Sequence, residues 1–78
     1  MVEYIWTTQD GYHIPISKLG DNHLRGIIRK LQTDLKSAQI TFLRAPNEEA
    51  EEEIEDYIAS LHALLAIMLE EQTRRTLH

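Results

Sequence analysis

Residues 58–69 are apolar at almost every position, and this segment constrains the fold more than any other. Ser60 and His62 are its only polar residues. A helix that is apolar all round its surface is buried on every side. At about 12 residues the segment is too short to span a bilayer, which needs about 20. We therefore expect other protein surfaces to cover it.

The chain that must cover this helix is small. It has 78 residues and no cysteine, so disulfides and thiolate metal sites are excluded. A domain of this size buries only about 60% of the surface that its unfolded chain exposes. We therefore expect one domain, residues 1–78, whose core is completed by another copy of the chain.

Charge divides the chain into two parts. Residues 1–45 carry six lysines and arginines against four acids, whereas residues 46–78 carry nine acids against two arginines. The net charge of −5 argues against general nucleic-acid binding, which needs a basic face. We find neither a signal-peptide pattern nor a bilayer-length apolar segment. We expect a cytoplasmic protein that does not bind membranes.

The N-terminal residues have the composition of a β-hairpin. Residues 3–8 are rich in aromatic and β-branched side chains, which favour a strand. Asp10-Gly11 is typical of a tight hairpin turn in which both central residues take positive φ. Pro15 lacks an N–H, so the return strand should present it at an unpaired edge. These features predict a hairpin over about residues 3–16.

Two helical patterns follow the hairpin. Apolar residues recur at spacings of three and four over about residues 23–41 and 48–73, which predicts two amphipathic helices. Asp21 or Asn22 should cap the first helix, and Asn47 the second. The predicted fold is α+β: an N-terminal β-hairpin packed on an antiparallel two-helix hairpin, completed by oligomerisation.

The second helix offers a surface for self-association. One side carries a wide stripe of core residues, and the opposite side carries small and apolar residues in place of charge. An exposed alanine-rich surface is the alternative to an interface. We expect this helix to bind a second copy, giving a dimer or a higher homo-oligomer. The candidate interface residues are Ala59, Ala63, Leu64, Ala66 and Ile67.

The residue patterns do not indicate catalysis or a metal site. No two of the four histidines are three or four residues apart; they are His13, His23, His62 and His78. The chain has no nucleophile elbow, no Walker loop and no GxGxxG motif. The acids of residues 48–56 are typical of a solvated helix face. We expect no enzyme activity, no catalytic residue, no metal and no cofactor.

Aromatic and cationic residues form the remaining candidate site. Rings stack on bases, arginines bind phosphates, and a helix start favours anions. The candidates for binding a small nucleotide-like anion are Trp6, Tyr12, His23, Arg25 and Arg29. In the alternative, Trp6 anchors the hairpin on the helices and the arginines are solvated. Gly26 weakens the helix there by roughly 1 kcal/mol relative to alanine, so we expect a packing reason for it.

A series of short motifs runs through residues 4–31. Its members are Trp6-Thr7-Thr8-Gln9-Asp10-Gly11, Ile14-Pro15-Ile16, Leu19, Asp21, His23-Leu24 and Ile28-Arg29. The series resembles the W-T-x-x-D-G-x-x-I-x-I … D-x-H-L module of small phage and prophage proteins. It covers under half of the chain and leaves out the acidic second helix. At Gly26 this chain departs from the polar residue that such proteins often have.

The resemblance implies a phage origin and assigns no catalytic residue. Small, acidic, cysteine-free phage proteins often inhibit host functions, antiviral defence among them. From that context we expect a non-enzymatic protein that blocks or sequesters a host protein in the host cytoplasm. The alternatives are an oligomer that sequesters a small nucleotide-like anion and a purely structural assembly component.

Overall fold

The computed structural model describes residues 4–77, and in it a β-hairpin precedes two long helices. The elements are strands β1 (Ile5–Thr7) and β2 (His13–Pro15), a 3₁₀ turn (Ile16–Lys18), and helices α1 (Asp21–Leu43) and α2 (Glu48–Thr76). The hairpin is antiparallel and packs on the helical hairpin. The predicted α+β arrangement is confirmed. The predicted hairpin began at Glu3, which lies outside the described residues.

The hairpin turn lies where it was predicted but has a different form. The Gly11 N–H donates to the Thr8 carbonyl (3.0 Å), and the Thr8 N–H donates to the Tyr12 carbonyl (2.9 Å). Gly11 has a φ of 88°, and no other described residue has a positive φ. These features define a three-residue loop with glycine in the left-handed position. The expected positive φ at Asp10 is wrong.

The strand pairing decides which backbone groups face outward. The register places Trp6 opposite Ile14, and antiparallel strands alternate between hydrogen-bonded and non-hydrogen-bonded pairs. The Ile16 N–H donates to the Tyr4 carbonyl (3.1 Å), which sets the phase of this alternation. The hydrogen-bonded pairs are therefore Tyr4–Ile16, Trp6–Ile14 and Thr8–Tyr12.

The intervening residues form the two edges of the sheet. Ile5 and Thr7 direct their N–H and C=O groups away from β2, and His13 and Pro15 direct theirs away from β1. Pro15 therefore has its nitrogen on an edge, as predicted. In the close pair Thr7–His13, the Thr7 Oγ1 lies 3.1 Å from the His13 Nδ1.

Helix α1 extends two residues beyond the predicted range at each end. Its N-cap is Gly20, without any side-chain cap, so the prediction of Asp21 or Asn22 is wrong. The Asp21 carboxylate instead accepts a hydrogen bond from the Arg75 guanidinium at 2.7 Å. The Asp21 side chain, which we expected to cap α1, therefore binds a residue far along the chain instead.

Helix α2 begins as predicted and continues three residues past residue 73. The Ala50 N–H donates to the Asn47 Oδ1 at 2.8 Å, so the predicted cap is confirmed. Glu48, Glu49 and Glu51 lie in the first turn. Their negative charges interact favourably with the positive end of the helix dipole and so stabilise the start of α2.

The core lies between the two helices and under the hairpin. Its buried side chains are Ile16, Leu19, Leu24, Ile27, Ile28, Leu31, Leu35, Ala38, Leu61 and Met68. Trp6 and Ile14 pack against this core. Each is the central residue of its strand, so its side chain points to the opposite face from those of its two neighbours. Trp6 therefore anchors the hairpin on the helices, which is one of the two roles that the sequence left open.

A charged network joins the hairpin base to both helices. The Arg75 guanidinium donates to the Asp21 carboxylate and, at 3.0 Å, to the Ile16 carbonyl. Glu71, only 6% exposed, accepts from Arg74 at 2.9 Å and lies 3.6 Å from the Arg75 Nε. Arg75 thus connects the end of α2 to the start of α1 and to the end of the hairpin.

The predicted self-association surface divides into two parts. Ala59, Ala63 and Ala66 are exposed on α2. Leu64 and Ile67 are half-buried and pack against the core, so Ile67 does not lie on the opposite face where the sequence placed it. The exposed part of this surface is therefore the three alanines. Within residues 4–77 neither helix is long and apolar enough to cross a membrane.

Candidate functional site

A cleft of about 700 Å³ lies between the hairpin and the first half of α1. The hairpin lines it with Trp6, Tyr12 and the residues between them, and α1 lines it with His23, Gly26 and Lys30. Ligand pockets in proteins measure about 300–1,000 Å³. The cleft is therefore large enough to hold a ligand or a short segment of another protein.

The two aromatic rings of the cleft differ in how they are held. Trp6 is half-buried because it packs on the core, while Tyr12 is 70% exposed beside the loop. Tyrosine and tryptophan combine a large apolar area with a polar group, and both are enriched at binding interfaces. The hairpin thus presents one fixed ring and one solvated ring to the cleft.

The α1 wall is formed by one side of the helix. His23, Gly26 and Lys30 are spaced by three and four residues, which places them on a common face. The Lys30 Nζ lies 3.2 Å from the Asp34 Oδ2, so its charge already has a partner. Arg25 and Arg29, also four residues apart, do not line this cleft.

The structure therefore separates the residues of the predicted anion site. Trp6, Tyr12 and His23 come together in the cleft. Arg25 lines a different groove of about 410 Å³, between the start of α1 and the end of α2, which Arg75 also lines. Neither Arg25 nor Arg29 forms an ion pair with a residue that the structure describes.

Gly26 has no packing partner in the described part of the chain. A Cβ placed on it would meet no atom within 4 Å, so the packing reason predicted for it is wrong. Its φ is not in the left-handed region, so its backbone does not require glycine either. The residue leaves an open area of helix backbone on the α1 wall of the cleft.

The site lacks the arrangement of a metal centre within residues 4–77, where no three histidines and acids are grouped to hold an ion. His78 lies outside that range. The carboxylate of the cleft is Asp10, on the hairpin loop. The cleft offers two aromatic rings, the imidazole of His23, the paired ammonium of Lys30 and the exposed helix backbone at Gly26. These groups can bind a partner by stacking, apolar contact and hydrogen bonding.

The predicted site left out Lys30, and the prediction for Gly26 was wrong. Both could have been placed from the helical period, because His23, Gly26 and Lys30 share one face while Arg25 and Arg29 share another. The predicted site grouped its residues by closeness in sequence, so it placed His23 together with Arg25 and Arg29, which lie on a different face of α1.

Comparisons with protein-family models, with curated proteins and with solved structures find no match for this chain. The residues that line the cleft all lie within residues 4–31, the part of the chain that carries the series of short motifs.

Proposed function

We propose that this chain is a non-enzymatic binding protein that captures a segment of another protein in the cleft between the hairpin and α1. Capture blocks or sequesters that protein. The module resemblance favours a phage-encoded protein that acts on a host component in the host cytoplasm, with antiviral defence among the candidate targets. The observation that carries the proposal is Gly26.

Gly26 carries an energetic cost in the free protein. A glycine inside a helix costs roughly 1 kcal/mol of stability relative to alanine, and a protein of this size has few kcal/mol to lose. Neither the backbone conformation nor any described neighbour explains the glycine. A partner that approaches the bare backbone closely does explain it. Trp6 and Tyr12 supply apolar contact area on the facing wall.

Protein capture is favoured over the nucleotide alternative by the charges of the cleft. A phosphate needs charge-assisted donors, yet Arg25 and Arg29 do not line the cleft. The ammonium of Lys30 is paired with Asp34, and Asp10 adds a negative charge to the lining. A peptide segment needs no phosphate-binding arginine, so it suits the cleft better.

The proposed protein also binds a second copy of itself through α2. Support comes from the exposed Ala59, Ala63 and Ala66, which lie on the side of α2 away from α1. Small side chains allow two helices to approach closely. The cleft and this surface are formed by different helices, so assembly through α2 leaves the cleft free.

The binding proposal is tested by capture from a bacterial lysate with the immobilised full chain. A captured protein is identified by mass spectrometry, purified, and titrated calorimetrically against wild type and Gly26→Leu. Leucine at position 26 projects into the cleft and covers the exposed backbone there, so we expect at least a tenfold rise in Kd, or about 1.4 kcal/mol.

The matched control is Gln39→Leu, which introduces the same side chain at an exposed position of α1 outside the cleft. It should leave Kd within about twofold of wild type, a change of roughly 0.4 kcal/mol. Equal Kd values for wild type, Gly26→Leu and Gln39→Leu would show that the cleft is not the binding site.

A further inference from the structure

The outer edge of β1 has unpaired backbone groups. Ile5 and Thr7 direct N–H and C=O away from β2, and no described residue hydrogen-bonds to them. Ile5 is 46% exposed. Four strong hydrogen-bonding groups are therefore available at this edge within a stretch of three residues.

The two edges of the sheet are not equivalent. On β2, Pro15 removes one outward N–H, and proline on an edge strand is a common way to prevent further strand pairing. On β1, neither proline nor lysine interrupts residues 5–7. The chain thus blocks strand addition at β2 and leaves it possible at β1.

The edge that remains available borders the cleft. Thr7 and Thr8 of the hairpin and Gly26 of α1 line the same space. An added strand lies about 4.8 Å from its neighbour, so its backbone would run between β1 and the helix. The missing side chain at Gly26 leaves room for that backbone.

The lining of the cleft carries little net charge. Asp10 is negative, and the ammonium of Lys30 is paired with Asp34. Main-chain hydrogen bonds and apolar contacts therefore determine which segment fits the cleft.

From these observations we infer that the cleft binds an extended peptide segment of the partner protein, which adds to β1 as a third antiparallel or parallel strand. Main-chain hydrogen bonds to Ile5 and Thr7 provide affinity, as in other cases of strand addition. Contacts of alternate side chains with Trp6 and the α1 wall provide selectivity. The inference rests on the proposed function, because it specifies how the captured segment is bound.

The probe is a cell-surface display library of random peptides of about nine residues, which span roughly 30 Å when extended. Selection against the full-length chain should enrich peptides that are rich in β-branched residues and lack proline at the centre. Enrichment of proline-centred peptides, or of none, would overturn the inference.

The strongest selected peptide is then titrated against two variants at one position. Thr7→Pro removes the outward N–H, and Thr7→Ala keeps that N–H while losing the same side-chain contact with His13. We expect Kd to rise about tenfold for Thr7→Pro, the effect of one lost hydrogen bond, and to stay near wild type for Thr7→Ala. Equal Kd values for the two variants would contradict strand addition.

Amide hydrogen exchange of the wild-type chain provides a readout that does not depend on the folding of a variant. Peptide saturation should slow exchange of the Ile5 and Thr7 amides at least tenfold and leave the His13 amide, on the opposite edge, unchanged. Binding that protects neither Ile5 nor Thr7 overturns the inference. If Gly26→Leu still abolishes that binding, the proposed function stands without it.

Discussion

Gly26→Ala should make the free protein more stable. Position 26 lies inside α1, where alanine is favoured over glycine by roughly 0.8–1 kcal/mol. The added methyl group meets no atom within 4 Å, and the backbone is not in the left-handed region. No steric or conformational cost therefore offsets the gain in helix propensity.

The gain is large enough to measure. For a domain of 60–100 residues, 1 kcal/mol at the melting point corresponds to a Tm change of about 4–8 °C. Thermal unfolding followed by far-UV circular dichroism should show a rise of that size. In urea the midpoint should increase by roughly 0.3–1 M, with an unchanged slope.

Gly20→Ala is the matched control, because this glycine also has open space around it and a φ outside the left-handed region. It is the N-cap of α1, where alanine is much less favourable than glycine. The same substitution should therefore lower the free energy of unfolding by about 0.5–1 kcal/mol. A neutral or destabilising Gly26→Ala would refute our account, since the space beside Gly26 would then be filled in the free protein.

Asn47→Ala should lower the free energy of unfolding by about 1 kcal/mol in urea denaturation, because the Ala50 N–H loses its acceptor; Asn47→Asp should retain most of the stability. Arg75→Met removes charged hydrogen bonds to the hairpin base and the start of α1, so we expect a loss of about 2 kcal/mol in the same assay. Lys30→Met, which breaks an exposed pair, should cost less than about 1 kcal/mol. Ala63→Glu alters an exposed position and should convert the proposed oligomer into monomers in sedimentation without changing helicity; a monomeric wild type would contradict the assembly.

The hairpin and both helices could be predicted because their signals are local. Strand composition, a turn glycine and a regular apolar spacing all lie within the elements that they specify. Asn47 caps α2 because its side-chain oxygen accepts from the Ala50 N–H, only three residues away. The cap of α1 could not be predicted in this way, because Asp21 binds a guanidinium 54 residues further along the chain.

The candidate site was predicted in part for a related reason. Trp6, Tyr12 and His23 lie close together because the hairpin packs beside the start of α1. Arg25 and Arg29 follow His23 closely in sequence, but their side chains leave the helix on a different face and do not line the cleft. The edge position of Pro15 was predicted, but the open edge of β1 was not, because the pairing register follows from hydrogen bonds that composition does not reveal.

The network around Arg75 also bears on the order of folding during synthesis. The Ile16 carbonyl accepts from the nearby Leu19 N–H and receives its second hydrogen bond from Arg75, 59 residues further along the chain. At 5–20 residues per second, the ribosome needs roughly 3 to 12 seconds to make that stretch. During that interval the Arg75 guanidinium is not yet present to bind the base of the hairpin. The open edge of β1 is then available to any nascent strand nearby. Trp6 packs the hairpin on the core, and the last turn of α2 adds the charged contact at the hairpin base. Chaperone contact should therefore fall on the nascent hairpin before Arg75 is made.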